Sequence, residues 1–278
     1  MRILLTIPHF HRTSNDNYGS ARSPRAHRAA CLSTMIESFR QRFSGRDHAN
    51  GSTATVCNTV FGHSIDIVVV TNGTDMAVDP AILGVEHAPC PDAEPMYLGY
   101  ECHRILGERH GAYDIYAFVE DDLAILDTLF FLKIAWFAQK VGSDAVVLPS
   151  RYETLAGSGV GRYYVDGQLT IEDAALRWQN MDDTRAIRMD MLGREFRFAR
   201  SSNPHSGCFF LTAGQLAHWM AQPYWLDRSD GFIGPLESAA TLGLMRTFRV
   251  YKPINDNAAF LEIHHLDNRY LKFAEASD

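Results

Sequence analysis

Hydrophobic residues in the first 150 positions fall into short continuous runs that alternate with longer segments of helical spacing. The short runs predict buried strands at residues 2–10, 64–71, 85–88, 114–119 and 144–148. Apolar positions that recur every three to four residues predict helices at residues 24–43, 96–110 and 127–141. Because strand and helix alternate, we expect an α/β fold with a mostly parallel sheet and helices on both faces.

The remainder of the chain predicts a smaller and mixed arrangement of elements. Strands are expected at residues 185–191, 195–200, 206–211 and 248–252, and helices after Thr212 and at 235–245. A mobile polar loop is expected at residues 44–59 and a flexible glycine-rich one at 157–161. No linker interrupts the chain, so we expect a single domain made of two halves, residues 1–150 and 151–278.

Composition and charge exclude several classes of protein. A chain of 278 residues that is 46% hydrophobic buries a core, which excludes a disordered protein. The net charge of -7 argues against a broad nucleic-acid surface. Five scattered cysteines without a C-x-x-C spacing predict neither a disulfide framework nor a zinc site, which favours the reducing cytoplasm. No apolar run reaches the roughly 18–20 residues of a membrane span, so any membrane contact would be peripheral.

Three consecutive carboxylates, Glu120, Asp121 and Asp122, follow the predicted strand at 114–119. In a parallel sheet, ligands collect beyond the carboxyl ends of the strands. Adjacent carboxylates repel one another, and a divalent cation such as Mn²⁺ or Mg²⁺ would relieve that repulsion. The alternative is that these side chains are solvated and stabilise the helix that follows. The later acidic pair Asp182-Asp183 lacks such a context and predicts a surface loop.

A basic segment joins the first predicted strand to its helix, and it comprises His9, His11, Arg12, Arg22, Arg25, His27 and Arg28. Arg25 and Arg28 fall at the start of the helix, where cations oppose the helix dipole. A bound diphosphate would offset these charges, although a solvated basic face is an equal alternative. Neither the G-x-G-x-x-G nor the G-x-x-x-x-G-K-[ST] motif is present, so the common dinucleotide and P-loop sites are unsupported.

Two features of the second half complete the set of candidate residues. Glu237 lies in the first turn of a predicted helix, after a glycine-containing loop at residues 231–234. Stabilisation of the helix dipole is sufficient to explain it, and a general base is the functional alternative. His264 and His265 are adjacent, so in an extended segment they point to opposite faces and at most one can face a metal.

Together, these motifs and their order resemble the GT-A fold of nucleotide-sugar-dependent glycosyltransferases. The hallmark of that family is a D-x-D motif after a buried strand, and Glu120-Asp121-Asp122 matches it with Glu in the first position. The resemblance implies a Rossmann-like fold in which residues 1–150 bind the nucleotide sugar and residues 151–278 face the acceptor. It also implies metal ligands from Asp122, Glu120, His264 or His265, and donor contacts from Pro8, His9, Arg104, Glu120 and Asp121.

The implied activity is metal-dependent transfer of a sugar from a nucleoside-diphosphate sugar to a hydroxyl of a glycan or lipid-linked acceptor. Glu237 would then act as the general base. The family often has Glu-Asp at this point, whereas here Glu237 precedes Ser238, so an inverting or retaining outcome is left open. Two alternatives remain: a non-catalytic nucleotide- or sugar-binding protein of the same fold, and a sugar-phosphate nucleotidyltransferase.

Overall fold

The structure is a computed structural model that describes residues 1–12, 23–43, 47–49, 55–57, 59–60, 62–154, 161–166 and 175–271. Its strands are β1 (Arg2–Pro8), β2 (Asp47–Ala49), β3 (Thr55–Cys57), β4 (Ser64–Thr71), β5 (Glu86–Pro89), β6 (Ile115–Val119), β7 (Leu123–Ala124), β8 (Ala145–Val147), β9 (Ser150–Glu153), β10 (Tyr163–Tyr164), β11 (Ala186–Met191), β12 (Arg194–Arg200), β13 (Cys208–Thr212), β14 (Arg249–Pro253) and β15 (Glu262–His265). Its α-helices are α1 (Arg25–Phe43), α2 (Leu98–Glu108), α3 (Phe130–Val141), α4 (Ala213–Met220) and α5 (Pro235–Thr247).

A five-stranded sheet with the order β13-β6-β1-β4-β5 forms the centre of the molecule. The four strands from β6 to β5 are parallel, and β13 pairs with β6 in the antiparallel sense. Along β1 the side chains alternate between faces, so that Ile3, Leu5 and Ile7 pack toward α1 and α3. Leu4 faces the opposite cluster, which contains residues of α2, α4 and α5. The predicted α/β fold class, with helices on both faces, is confirmed.

Two smaller mixed sheets lie beside the central one, with the orders β11-β12-β14-β8 and β10-β9-β15-β7. The second of these matters most for the site, because it pairs the segment after β6 with the C-terminal strand. His265 of β15 lies opposite Leu123 of β7, and Ile263 lies opposite Arg151 of β9. The predicted smaller, mixed second half is therefore also confirmed.

The structure corrects the sequence prediction at several points. The polar segment at 44–59 was predicted as a loop, but β2 and β3 form an antiparallel ribbon within it. The helix predicted from Asp127 begins at Phe130, because the Asp127 side chain accepts a hydrogen bond from Leu129 N (2.9 Å) and closes a turn first. Strands β7, β9, β10 and β15 were not predicted. The glycine-rich loop at 157–161 lies outside the described residues except for Gly161.

No helix in the described parts of the chain has both the length and the apolar content needed to cross a membrane.

Candidate active site

The acidic triplet lies in a tight turn that leaves the carboxyl end of β6 and enters β7. Backbone hydrogen bonds hold both sides of this turn: Glu120 N donates to Gly207 O (2.9 Å), and Leu266 N donates to Asp122 O (2.8 Å). Asp121 and Asp122 are only 6% and 5% exposed. The alternative of solvated loop carboxylates is therefore wrong for these two residues.

Arg28 is the principal counter-ion of the two buried aspartates. It is 3% exposed and comes from the first turns of α1, the helix that follows β1. One guanidinium nitrogen donates to Asp121, and Nη1 donates to Asp122 Oδ2 at 2.9 Å. Among the basic residues of the described segment, Arg28 is the one that lines the cavity beside the triplet. It therefore offsets part of the carboxylate repulsion that the sequence alone left unbalanced.

His9 holds Asp121 from behind. Its Nε2 accepts a hydrogen bond from Ala77 N (2.9 Å), so the ring proton resides on Nδ1, which donates to Asp121 Oδ2 at 2.5 Å. His9 is fully buried and contributes no atom to the cavity surface. The structure thus gives this predicted donor-binding residue a supporting position, one contact removed from the cavity.

His265 and Asp122 approach each other across the turn. His265 Nε2 lies 3.7 Å from Asp122 Oδ2, and His265 Nδ1 lies 2.6 Å from Oε1 of the fully buried Glu153. Glu153 also accepts hydrogen bonds from Tyr270 N. A carboxylate that fixes one imidazole nitrogen leaves the other directed at a ligand, as in carboxylate–histidine–metal arrangements. Asp122 Oδ1 is buried and has no hydrogen-bond partner within the described structure.

The pKa values of the triplet diverge because the three side chains have different neighbours. Burial would raise the pKa of Asp122, but His265, Arg28 and Arg269 outweigh it and hold that pKa well below its ordinary value. Burial also opposes ionisation of Asp121, and Arg28 with His9 keeps its pKa low. Burial and the neighbouring charge of Asp122 raise the pKa of Glu120 to about 7.

A cavity of about 160 Å³ joins these groups. Its lining residues are Pro8, Phe10, Arg28, Pro95, Met96, Leu98, Glu120, Asp121, Asp122, Arg151, His205, Leu236, Glu237, His265, Arg269 and Tyr270. Four of them are carboxylates and three are arginines, so the lining brings both signs of charge together. The volume suits the reacting groups of a substrate, with the remainder of a larger ligand lying outside the cavity.

The structure brings most of the predicted site residues to this cavity, including Pro8, the acidic triplet, Glu237 and His265. His264 lies on the other face of β15, where its ring stacks on Tyr152 with centroids 4.9 Å apart. Arg104 is also absent from the cavity lining, because its partly exposed guanidinium donates to Glu101 and Glu108 of the same helix. Of the two adjacent histidines, His265 lines the cavity and His264 does not.

Several residues of the site were not predicted, namely Arg151, Glu153, His205 and Arg269. Arg151 and Glu153 belong to β9, whose sequence SRYE has no apolar run that would predict a buried strand. Tertiary pairing with β10 and β15 buries it. The sequence shows only a basic and an acidic residue two positions apart, and that pattern is too common to predict a functional site by itself.

The donor groups around Asp122 fit a divalent cation that keeps few protein ligands. Within the described ranges, no cluster of three His, Cys, Asp or Glu side chains could enclose a metal ion. The unpartnered Oδ1 of Asp122 and the Nε2 of His265 would supply two ligands, and substrate oxygens and water would supply the others, as Mg²⁺ and Mn²⁺ commonly accept.

Comparison with known proteins gives weak likenesses. No protein-family model and no curated protein matches the chain. Mouse xyloside xylosyltransferase 1 in its apo form is similar with a TM-score of 0.39 and 11% identity, over 89% of this chain and 82% of that chain. Mannose-1-phosphate geranyltransferase from Thermus thermophilus is similar with a TM-score of 0.38 and 11% identity, over 91% of this chain and 73% of that chain. At these scores neither likeness bears on the chemistry of this chain, which the cavity residues alone must support.

Proposed function

We propose that the chain is a metal-dependent glycosyltransferase that moves a sugar from a nucleoside-diphosphate sugar to a hydroxyl acceptor. The observation that carries the proposal is the pairing of Asp122 and His265 at the carboxyl end of β6. A buried carboxylate oxygen without a hydrogen-bond partner is costly, and a bound cation would offset that cost. The D-x-D-like order of Glu120, Asp121 and Asp122 adds the resemblance to GT-A glycosyltransferases.

In this proposal Asp122 and His265 would hold Mn²⁺ or Mg²⁺, and Glu120 lines the same cavity. The cation, when bound, stabilises the charge that develops on the departing diphosphate. Glu153 accepts a hydrogen bond from His265 Nδ1, which leaves Nε2 directed toward Asp122. Arg28 orients the carboxylates of Asp121 and Asp122 by binding both at once.

Glu237 is the proposed general base for the acceptor hydroxyl. It lies in the first turn of α5, and its side chain lines the same cavity as the acidic triplet. A carboxylate at this place can accept the proton of an acceptor hydroxyl. The proposed acceptor is a glycan or a lipid-linked sugar, and the proposed location is the cytoplasm.

The decisive experiment compares Asp122→Asn with the wild type, with Asp182→Asn as a matched control on the exposed acidic pair. We expect Asp122→Asn to weaken Mn²⁺ binding by about a hundred-fold or more, since a metal ligand exceeds a supporting residue in effect. Hydrolysis or transfer of nucleotide sugars, screened as a panel with Mn²⁺, should fall with it. Unchanged Mn²⁺ affinity and turnover in the folded variant would overturn the proposal.

The products formed from this panel, and from a nucleoside triphosphate supplied with a sugar phosphate, separate the alternative functions. Release of a nucleoside diphosphate supports a glycosyltransferase, whereas release of pyrophosphate from a nucleoside triphosphate and a sugar phosphate identifies a nucleotidyltransferase. Saturable binding of a nucleotide sugar without any turnover identifies a non-catalytic binding protein.

A further inference from the structure

A buried cluster of charged side chains reaches the cavity beside Glu120, and the proposed mechanism gives it no role. Arg151, Asp166 and Lys252 form it, and the side chains of all three are at most 7% exposed. Arg151 Nε lies 2.8 Å from Asp166 Oδ1, and Lys252 Nζ lies 2.8 Å from Asp166 Oδ2. Two cations therefore share one carboxylate, which leaves the cluster with one positive charge in excess.

The pKa values in this cluster agree with full ionisation of the carboxylate. Burial opposes the charge on Asp166, but Arg151 and Lys252 outweigh it and lower its pKa to about 2. Burial lowers the pKa of Lys252, and Asp166 opposes that shift. A cluster of this kind is costly to bury unless a further anion lies within reach of the excess charge.

Arg151 is the member of the cluster that reaches the cavity. It lines the cavity with Glu120 and Asp122, whereas Asp166 and Lys252 lie behind it and line a separate groove. Within the described structure, Arg151 forms its ion pair with Asp166, while Glu120 interacts with its charge without forming an ion pair. The Arg151 guanidinium is thus held from behind by Asp166 while part of it faces the space where substrate would lie.

The register of β9 sets the distance between Arg151 and the metal-facing residues. Arg151 and Glu153 are two positions apart and point to the same face of the strand. Glu153 fixes His265, so Arg151 is offset from that support by about 7 Å along the strand. One diphosphate is long enough to contact both a cation at Asp122 and the guanidinium of Arg151.

We infer that Arg151, held by Asp166, is an oxyanion-binding residue that takes a phosphate group of the donor. The inference rests on the proposed function for the identity of the phosphate carrier. Arginine suits this task because its planar fork donates two parallel hydrogen bonds to phosphate oxygens. The cavity then has an anionic wall for a dication and a cationic wall for the phosphate that the dication binds.

Titration calorimetry with inorganic pyrophosphate, with and without Mn²⁺, tests the inference without relying on turnover. We expect Arg151→Met to weaken pyrophosphate binding about ten-fold or more, because a charged hydrogen bond is lost. Arg151→Lys keeps a positive charge beside Asp166 but loses the planar guanidinium fork, so it should weaken pyrophosphate binding several-fold. This conservative variant also controls for a folding defect in Arg151→Met. Arg162→Met is the control, since Arg162 is about half exposed and binds Glu262 outside the cavity.

The outcomes distinguish this inference from the proposed function. Wild-type pyrophosphate affinity in both folded Arg151 variants would overturn the oxyanion role. Mn²⁺ titrated alone should bind the Arg151 variants at least as tightly as the wild type, because a nearby positive charge is reduced or unchanged. If Asp122→Asn leaves Mn²⁺ binding and turnover intact while Arg151→Met loses pyrophosphate, the proposed function fails and the oxyanion site stands.

Discussion

Gly207 determines how closely the backbone can approach Glu120. Its φ is +64°, and a Cβ added there would lie 2.5 Å from Glu120 Oε2. Gly207→Ala should therefore destabilise the fold by about 1–3 kcal/mol and displace Glu120, through left-handed backbone strain and crowding. Chemical denaturation and turnover measure the two effects. Gly214→Ala in α4 is the control: apart from its chain neighbours and its own helix backbone, no described residue lies within 4 Å of the added Cβ, so the variant should be neutral or stabilising.

Glu153 offers a test of how His265 is oriented. Its carboxylate is fully buried and accepts from His265 Nδ1, so Glu153→Gln would place an amide where two oxygens now accept hydrogen bonds. We expect Mn²⁺ affinity to fall about 10–100-fold, the usual cost of changing a residue that supports a metal-binding histidine. Electron paramagnetic resonance of free Mn²⁺ measures it. Glu262→Gln on β15 is the control, because Glu262 binds Tyr164 and Arg162; an equal loss there would contradict the prediction.

At the scale of elements, the contact between α2 and α5 positions Glu237. A Cβ added to Gly99 would lie 2.6 Å from Ala239 Cβ, so these helices meet where neither has room for a larger side chain. Gly99→Ala should cost about 1–3 kcal/mol in the free energy of unfolding and shift the start of α5 relative to the cavity. The double variant Gly99→Ala with Ala239→Gly should regain part of that loss in denaturation experiments. No regain at all would show that the contact is not the cause.

The elements that could be predicted from sequence are those whose apolar pattern is visible along their own length. Strand β4 was predicted with its observed bounds because SIDIVVVT is an apolar run closed by a turn. The capping box at Thr212 was likewise local and is present. Strand β9 could not be predicted, since its four residues carry two charges and are buried only by neighbours from distant parts of the chain.

The candidate site divides in the same way. Asp122 could be placed at the edge of the sheet because it closely follows the apolar run of β6, and that run is visible in the sequence. The partners of Asp122 do not follow from the sequence, because Arg28 and His265 lie 94 and 143 positions away from it along the chain. Arg104 was placed at the site by analogy, but two glutamates on its own helix hold it at the surface.

At the scale of the whole molecule, two buried histidines contribute to the loss of stability in acid. Burial lowers the pKa of His103 to about 4, and it lowers the pKa of His205 well below its ordinary value. Below about pH 6.5 the unfolded chain binds protons at these two positions and the folded chain does not. The contribution of the two histidines to the free energy of unfolding is therefore fully present above that pH and declines as pH falls. Because of His103 alone, the free energy of unfolding should fall by about 2 kcal/mol as pH is lowered from about 7 to about 5.

Urea denaturation across that pH range, on wild type and His103→Phe, measures this contribution. Aromatic rings surround His103, so phenylalanine can replace it. In the variant, the free energy of unfolding should change with pH by a slope that is smaller by about one bound proton. His110→Gln, at an exposed ring, is the control variant. A variant His103→Phe with the full wild-type slope would disprove the assignment of that slope to His103.

The pairing of β7 with β15 has a consequence for biosynthesis. Arg28 leaves the ribosome early, so a nascent chain that has just exposed Asp122 already contains this counter-ion. His265 and Glu153 can complete the cluster only after strand β15 has been translated. Stalled or prematurely terminated products that stop before Glu262, where β15 begins, would therefore carry the acidic turn with its arginine but without its histidine.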